Sequence, residues 1–171
     1  MAKLVAQNHP ALHTIADEVT PEDFADGTVD KIVKDMKKAI KTYDVDGYAA
    51  VAIAAPQIGI AKRIFLVADQ NSERDDVALP DLVAINPKII KYSKKTHLLS
   101  EGCLSVRDTY GTVIRHKNVT MRALDENGEE YERGAGGLLA QIFQHECDHL
   151  DGTLYVDRAE EVWHKEDKPT T

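Results

Sequence analysis

The sequence predicts an α+β fold in which antiparallel or mixed β-sheets pack around one central helix near the end of the chain. Strand-like segments follow one another between residues 63 and 133, and helical segments stand before and after them. The last helical segment contains the sequence HECDH at residues 145–149. With 171 residues and 43% hydrophobic residues, the chain suits one domain over residues 1–171 with its own core.

Two helices are predicted in the first quarter of the chain. The segment 20–27 reads as a short helix, with Thr20 as its N-cap and Pro21 in its first turn. In the segment 29–43, apolar residues recur at helical spacing, which predicts a longer helix with one face toward a core and a lysine-rich face outside. These apolar positions are 29, 32, 33, 36, 40 and 43.

Five strands are predicted after these helices, from their apolar and β-branched residues. They are 63–68, 82–92, 111–115, 119–125 and 129–133, and a hairpin turn at 125–128 joins the last two. We expect a polar loop at 71–81 and a flexible lead-in at 132–137. The final helix is expected from about Gly137 to Asp151, and Gly152 is expected to end it.

Composition excludes several classes of protein. A formal net charge of −8 argues against broad or sequence-specific binding of nucleic acid, which requires clustered Lys and Arg. The longest apolar run, residues 49–55, is far shorter than the ~20 residues that span a bilayer, and we recognise no signal sequence at the start. The expected location is the cytoplasm, without membrane contact. Two cysteines form no disulfide framework.

The spacing of His145 and His149 predicts a shared metal ion. Residues four apart are neighbours on a helix surface, so both imidazoles can reach one ion, with Glu146 beside the water that the ion would activate. Leu138 and Ile142 extend the same stripe and predict an apolar groove beside it. The motif has only three fixed residues, however, and a chance match on a surface helix is the alternative.

A catalytic metal site needs a third protein ligand. Tyr155 stands where a metzincin has its third histidine, and too few residues follow for a distant glutamate on another helix. Cys103, in an apolar turn that follows the run THLLS, is therefore the remaining soft candidate. Cys147 lies on another side of the helix from His145 and is interpreted as a packed core thiol.

Three motifs, in the right order and separations, resemble those of the peptide deformylases. They are AAPQIG (54–59), EGCLSV (101–106) and QHECDHLDG (144–152), and INPKI (85–89) and VIR (113–115) also fit. The resemblance covers nearly the whole chain and implies a peptide deformylase-like fold. It also implies a hydrolase that removes formate from the N-terminal formyl-methionine of new polypeptides.

The resemblance assigns roles to individual residues. It implies that Cys103, His145 and His149 hold the metal, with ferrous iron as the usual ion and nickel, cobalt or zinc as substitutes. Glu146 would act as general base and then general acid rather than as a ligand. The Gln57 side-chain amide and the Leu104 backbone N–H would stabilise the charge that develops on the formyl oxygen. Without the motif around it, Gln57 would be interpreted as an exposed loop residue.

The resemblance also implies a peptide-binding groove. The methionine side chain would enter an apolar pocket near Val51, Leu138, Ile142 and His145, and the peptide backbone would pair like an added strand with Val51 and Gly102. Gln141 would place an amide in this pocket. Glu101 and Arg115 would support the metal ligands as an ion pair. The alternative for Arg115 is a solvated surface charge.

Three positions depart from the family pattern. Ala50 and Ala52 stand where the family usually has glycine, and Arg107 stands where it usually has proline. Every chemical group of the expected site is nevertheless retained. Two other functions stay open: a different metallohydrolase, and a catalytically weak or inactive binding protein that keeps the metal. Transient contact of the mixed-charge tail with a ribosome is a further possibility.

Overall fold

The computed structural model describes residues 3–41, 44–45, 48–68 and 79–167, with the backbone alone for 44–45 and 48–49. Within these residues the helices are α1 (Pro21–Ala25), α2 (Thr28–Lys41) and α3 (Gly137–Leu150). The strands are β1 (Asp44–Val45), β2 (Tyr48–Ala49), β3 (Ala52–Ala54), β4 (Ile64–Val67), β5 (Leu82–Tyr92), β6 (Thr96–Cys103), β7 (Val106–His116), β8 (Asn118–Leu124), β9 (Glu130–Gly136) and β10 (Glu161–His164).

The strands form three sheets, and all strand pairs in the described ranges are antiparallel. The largest sheet has the order β3-β4-β5-β8-β9, the second has the order β10-β7-β6, and β1 pairs with β2. Strand β3 therefore lies at one edge of the large sheet, and β6 lies at one edge of the second sheet. The predicted α+β fold class is confirmed.

Helices α2 and α3 cover opposite faces of the large sheet. Strand β4 is buried along its whole length, and alternate side chains of a strand point to opposite faces. Ile64 and Leu66 pack in the cluster that contains the apolar face of α2, whereas Phe65 and Val67 pack in the cluster that contains α3. The core thus has two layers separated by the sheet, and α3 reaches from its layer toward the second sheet.

The two predicted helices of the first quarter are confirmed. The Thr20 side chain accepts a hydrogen bond from the Asp23 N–H, and the Asp23 carboxylate accepts one from the Thr20 N–H, which caps α1. In α2 the predicted apolar stripe is buried at Val29, Ile32, Val33, Met36 and Ile40. Position 43, also predicted for this stripe, lies outside the described residues.

Gly152 follows α3 with φ of 71°, a left-handed conformation that favours glycine. A Cβ at this position would lie 2.9 Å from backbone atoms of Thr14, so close packing against the N-terminal segment also requires glycine. The predicted end of the last helix is therefore confirmed within one residue.

The predicted flexible lead-in at 132–137 is wrong. Glu132 to Gly136 belong to β9 and pair with β8, where Gly136 lies opposite Asn118. A Cβ on Gly136 would lie 2.8 Å from Asn118 Oδ1, so this glycine permits close approach within a strand. Most of the predicted polar loop at 71–81 lies outside the described residues.

Strands β6 and β10 were not predicted, and β7 is longer than the predicted strand 111–115. The run THLLS and the start of EGCLSV, interpreted as a turn, together form β6, and the reversal lies between Cys103 and Val106. None of the helices in the described ranges is both long enough and apolar enough to span a membrane.

Candidate metal centre and active-site cleft

Three soft donors meet where α3 passes the end of β6. Cys103 is the last residue of β6, and His145 and His149 lie one turn apart on α3. One donor atom of each residue lies within 4.8 Å of the other two, and Cys103 Sγ lies 3.2 Å from His149 Nε2. Two ligand atoms bound to one metal ion at about 2.0–2.3 Å lie roughly 3–4 Å apart, so this spacing fits a shared ion.

The orientation of His145 is fixed on two sides. Its Nδ1 lies 2.9 Å from the Glu101 carboxylate, which directs Nε2 toward Cys103 and His149. The ring of Tyr155 stacks against the ring of His145, with centroids 6.1 Å apart. Tyr155, at the position of a metzincin's third histidine, is thus a buried packing residue whose hydroxyl donates to the Thr109 carbonyl at 2.7 Å.

A buried chain of charges holds Glu101. Arg115 donates two hydrogen bonds to the Glu101 carboxylate at 2.7 and 2.9 Å and one to Asp148 at 2.6 Å. Arg158 also approaches Asp148, with Nε 3.1 Å from the carboxylate. Arg115 is 4% exposed, so the alternative of a solvated surface charge is wrong. The expected ion pair of Glu101 and Arg115 is present.

The charges around the cluster favour a thiolate at Cys103. Burial raises the pKa of the Cys103 thiol, but the imidazoles of His149 and His145 outweigh burial and hold that pKa well below its ordinary value. Burial also opposes ionisation of Glu101, yet Arg115 and His145 lower its pKa to about 2. A thiolate with two imidazoles is a donor set that binds transition metals, so the residues present fit a metal ion.

Glu146 lies on α3 directly after His145 and faces the same cleft. Its side chain is buried, and within the described part of the chain its Oε2 has no hydrogen-bond partner. Burial raises the pKa of Glu146, and the neighbouring imidazoles of His145 and His149 oppose that rise. A buried carboxylate oxygen that faces a cleft is available to exchange a proton with a bound molecule.

Gln57 is buried beside the cluster. Its Oε1 accepts a hydrogen bond from the Ala54 N–H at 2.8 Å, which leaves its amide group directed at the site, where Nε2 lies 3.4 Å from Cys103 Sγ. The side chain is 2% exposed, so the interpretation as an exposed loop residue is wrong. Leu104 follows Cys103 and lines the cleft.

Cys147 belongs to the core rather than to the donor cluster. It is buried among the apolar residues between α3 and the large sheet. Burial raises the pKa of its thiol to about 12. The sequence-based interpretation of Cys147 as a packed thiol is therefore confirmed.

A cleft of about 750 Å³ opens over the donor cluster. All five residues that the family resemblance assigned to peptide binding line it: Val51, Gly102, Leu138, Ile142 and His145. Gln141 also lines the cleft, but its amide donates to the Ser100 carbonyl at 3.0 Å, which ties α3 to β6. The departures Ala50, Ala52 and Arg107 line the same cleft.

Two sheet edges face this cleft. In the register of β3 with β4, the Val51 carbonyl accepts from the Ala68 N–H, and Ala52 lies opposite Val67. Antiparallel pairs alternate between hydrogen-bonded and non-hydrogen-bonded positions, so the backbone N–H and C=O of Ala52 point away from β4. Across the cleft, Gly102 belongs to the edge strand β6. An extended peptide between the two edges would find main-chain partners on both sides.

The chain matches the family model for polypeptide deformylase over residues 1–165. It belongs to the polypeptide deformylase family. A peptide deformylase of Carboxydothermus hydrogenoformans is 38% identical over 166 residues, which cover 95% of this chain and 96% of that protein. The chloroplastic peptide deformylase 1A of Solanum lycopersicum is 38% identical over 92% of this chain.

Solved deformylase structures share the fold. The Thermotoga maritima peptide deformylase superimposes with a TM-score of 0.80 and 31% identity, covering 94% of this chain and 99% of that one. The Met-Ala-Ser-bound class I type b peptide deformylase of Acinetobacter baumannii gives a TM-score of 0.81 and 33% identity, covering 91% of this chain and 96% of that one. The chain spans only 59% and 61% of the lengths of two plant deformylases that it matches.

Sequence reasoning missed two charged residues near Arg115, the buried Asp148 and the exposed Arg158. Asp148 lies inside the histidine motif, but nothing in the sequence indicates that it faces Arg115 rather than solvent. Arg158 lies in the tail after α3 and reaches Asp148 only through the fold. A charged residue between two predicted ligands is the one signal that could have identified Asp148.

Proposed function

We propose that the protein is a metal-dependent hydrolase that removes the formyl group from the N-terminal formyl-methionine of newly made polypeptides. The observation that carries the proposal is the meeting of Cys103, His145 and His149 with Glu146 at the base of a cleft between two open strand edges. Membership of the polypeptide deformylase family supports the same reaction. That match over residues 1–165 also supports one catalytic domain over residues 1–171.

Cys103, His145 and His149 would hold the metal ion. When bound, a divalent transition metal supplies Lewis-acid activation of a water nucleophile at neutral pH. We propose ferrous iron as the native ion, with nickel, cobalt or zinc as substitutes, because thiolate and imidazole ligands suit this group of metals. The metal-dependence of the family and the meeting of the three donors support a bound metal ion at this site.

Glu146 is proposed to move the proton. It takes a proton from water as the oxygen attacks the formyl carbon, and it passes that proton to the amine as the carbon–nitrogen bond breaks. The products are formate and a free methionine amine. Its burial and its raised pKa suit a group that accepts a proton and then releases it.

Gln57 and Leu104 are proposed to stabilise the negative charge that develops on the formyl oxygen. The hydrogen bond from the Ala54 N–H holds the oxygen of the Gln57 amide, so its NH₂ group is presented to the site before a substrate binds. The Leu104 N–H, next to Cys103, would be the second donor. Donors that are fixed in advance cost no reorganisation during the reaction.

The peptide is proposed to bind as an extended strand. Leu138 and Ile142 provide apolar surface for the methionine side chain, while Val51 and Gly102 contribute the two cleft edges. Because the Val51 carbonyl is already paired with the Ala68 N–H, Ala52 rather than Val51 is the proposed main-chain partner on this side. Main-chain pairing tolerates many later side chains, which suits an enzyme acting on many nascent chains.

The three departures keep a second function open. All three residues line the cleft: Ala50, Ala52 and Arg107. The alternatives are therefore another metallohydrolase that takes a substrate of different shape, and a binding protein that keeps the metal but has weak activity. A location in the cytoplasm and transient ribosome contact are part of the first proposal, because its substrates are nascent polypeptides.

Release of formate from formyl-Met-Ala-Ser tests the proposal. Protein loaded anaerobically with Fe²⁺, or with Ni²⁺, should release formate and retain about one metal ion per chain. Cys103→Ala should lose metal and activity, whereas Cys147→Ala, which removes the thiol outside the cluster, should keep both. Metal-loaded wild-type protein that releases no formate from any formyl-Met peptide would contradict the proposed reaction.

A further inference from the structure

Two aromatic rings form one wall of the cleft beyond the donor cluster. Tyr110 on β7 and Trp163 on β10 lie directly opposite each other in the register of the second sheet. Their rings are stacked at 24°, with centroids 6.4 Å apart, and both line the cleft. Each ring is half-buried, so part of each apolar surface faces the cleft.

The same wall adjoins the proposed substrate edge. A Cβ on Gly102 would lie 3.1 Å from two ring atoms of Tyr110, so the tyrosine ring packs directly over the Gly102 backbone. A peptide paired along β6 at Gly102 would therefore run beside Tyr110. Trp163, stacked on the outer side of Tyr110, widens this aromatic surface along the cleft.

We propose that Tyr110 and Trp163 form a recognition surface for the side chain of one of the two residues that follow formyl-methionine. This inference rests on the proposed deformylation, and it adds a substrate preference to that function. The favoured substrates carry an aromatic side chain at that position. Aromatic rings stack in offset or edge-to-face geometries that aliphatic or polar side chains cannot reproduce.

Substrate series can locate the preferred position. Values of kcat/KM for formyl-Met-Phe-Ser and formyl-Met-Ala-Phe are compared with that for formyl-Met-Ala-Ser. We expect one of the two Phe peptides to be preferred by about 3-fold to 10-fold, as one aromatic contact provides. Trp163→Ala should abolish that ratio, and Trp163→Phe should restore most of it. Val162→Ala is the matched control, because Val162 is the exposed neighbour on β10 and does not line the cleft.

Intrinsic fluorescence separates this inference from the proposed reaction. Trp163 is the single tryptophan of the chain, so its emission reports on this wall alone. Titration with the unformylated peptides Met-Phe-Ser and Met-Ala-Phe should shift or quench the emission even if no formate is released. Binding that calorimetry detects without any change in emission would overturn the inference. Equal kcat/KM for all three substrates, or equal loss of the ratio in Val162→Ala, would also overturn it.

Discussion

Helices α2 and α3 have the same length, 14 residues, and cover opposite faces of one sheet, yet they bury different chemistry. The buried residues of α2 are all apolar. Those of α3 include four polar or charged residues: Gln144, Glu146, Asp148 and His149. Burial of a polar group is costly unless it finds a partner, and within the described part of the chain Glu146 Oε2 and His149 Nδ1 on α3 have none. Both helices pack against the sheet, but α3 also carries reactive groups of the candidate site.

The largest expected effect comes from removing a reactive group of α3. Glu146→Ala should keep its metal and lower kcat for deformylation by roughly 10²-fold to 10⁴-fold, because the proton acceptor is lost. Formate release and metal content measured on the same sample provide the check. Glu160→Ala, an exposed carboxylate outside the cleft, should behave like wild type. Near wild-type turnover in Glu146→Ala would exclude the proposed base.

The next effect concerns a fixed donor beside α3. Gln57→Ala should lower kcat by roughly 10²-fold to 10³-fold with metal intact, as for loss of one oxyanion donor. Gln57→Glu is the sharper variant, because its carboxylate can still accept from the Ala54 N–H but has no NH₂ group to donate. If Gln57→Glu retained full activity, the amide would have no role as a donor.

A variant of α2 should lose stability and keep its activity. Met36 is fully buried against the sheet, so Met36→Ala should lower the free energy of unfolding by about 2–5 kcal/mol. The activity of the remaining folded protein should stay unchanged, because Met36 is outside the cleft. Urea unfolding and active-site-normalised kcat are the two measurements, and Lys38→Ala on the exposed face of α2 is the control. A specific loss of activity in Met36→Ala would contradict the assignment of stability to α2 and of reactive groups to α3.

A smaller effect is expected across the cleft from α3. Ala52 is not among the described residues with positive φ. The backbone conformation at this position therefore does not require the glycine that the usual family pattern has there. The methyl group of Ala52 instead occupies space at the edge that would meet the substrate. Ala52→Gly should raise kcat/KM for formyl-Met-Ala-Ser several-fold while metal content stays constant. An unchanged or lower value would show that the alanine does not restrict the cleft.

The smallest expected effect concerns Asp23 on α1, the helix before α2. Hydrogen bonds from Lys62 and Thr20 lower the pKa of Asp23 to about 2. A lowered pKa in the folded state stabilises the protein above the ordinary value of 3.8, and this contribution is lost as pH falls toward 2. Asp23→Asn should therefore lower the melting temperature at neutral pH, and the difference from wild type should shrink in acid. A difference that is constant with pH would contradict this linkage.

Elements with a strong local pattern could be predicted from the sequence. The α2 stripe is periodic, and Leu82–Tyr92 is a long apolar strand, so both were located correctly. Strand β6 was missed because most of its residues are exposed and its order comes from pairing with β7. The glycine-rich end of β9 was misread as flexible because its order also comes from pairing: Gly136 lies opposite Asn118, whose side chain leaves no room for a Cβ there.

The candidate site likewise has parts that a sequence pattern indicates and parts that only the fold brings together. The spacing of His145 and His149 on one helix, and the motif around Cys103, are enough to indicate the donor cluster from the sequence. No local pattern indicates that Arg115 is buried between Glu101 and Asp148, because that contact joins β6, β7 and α3. The family motifs suggested the Glu101–Arg115 pair, but neither a local pattern nor a motif indicated the contact of Arg115 with Asp148.

The two strand edges beside the cleft also bear on which polypeptides can react. An unpaired edge strand usually invites association with another sheet, but here β3 and the end of β6 face each other across a single opening. A chain reaches both edges only if its first residues are extended and free of their own secondary structure. Under the proposed function, the opening would therefore select by timing: a polypeptide would be accessible while its N terminus is unfolded, and inaccessible once folding has buried that terminus.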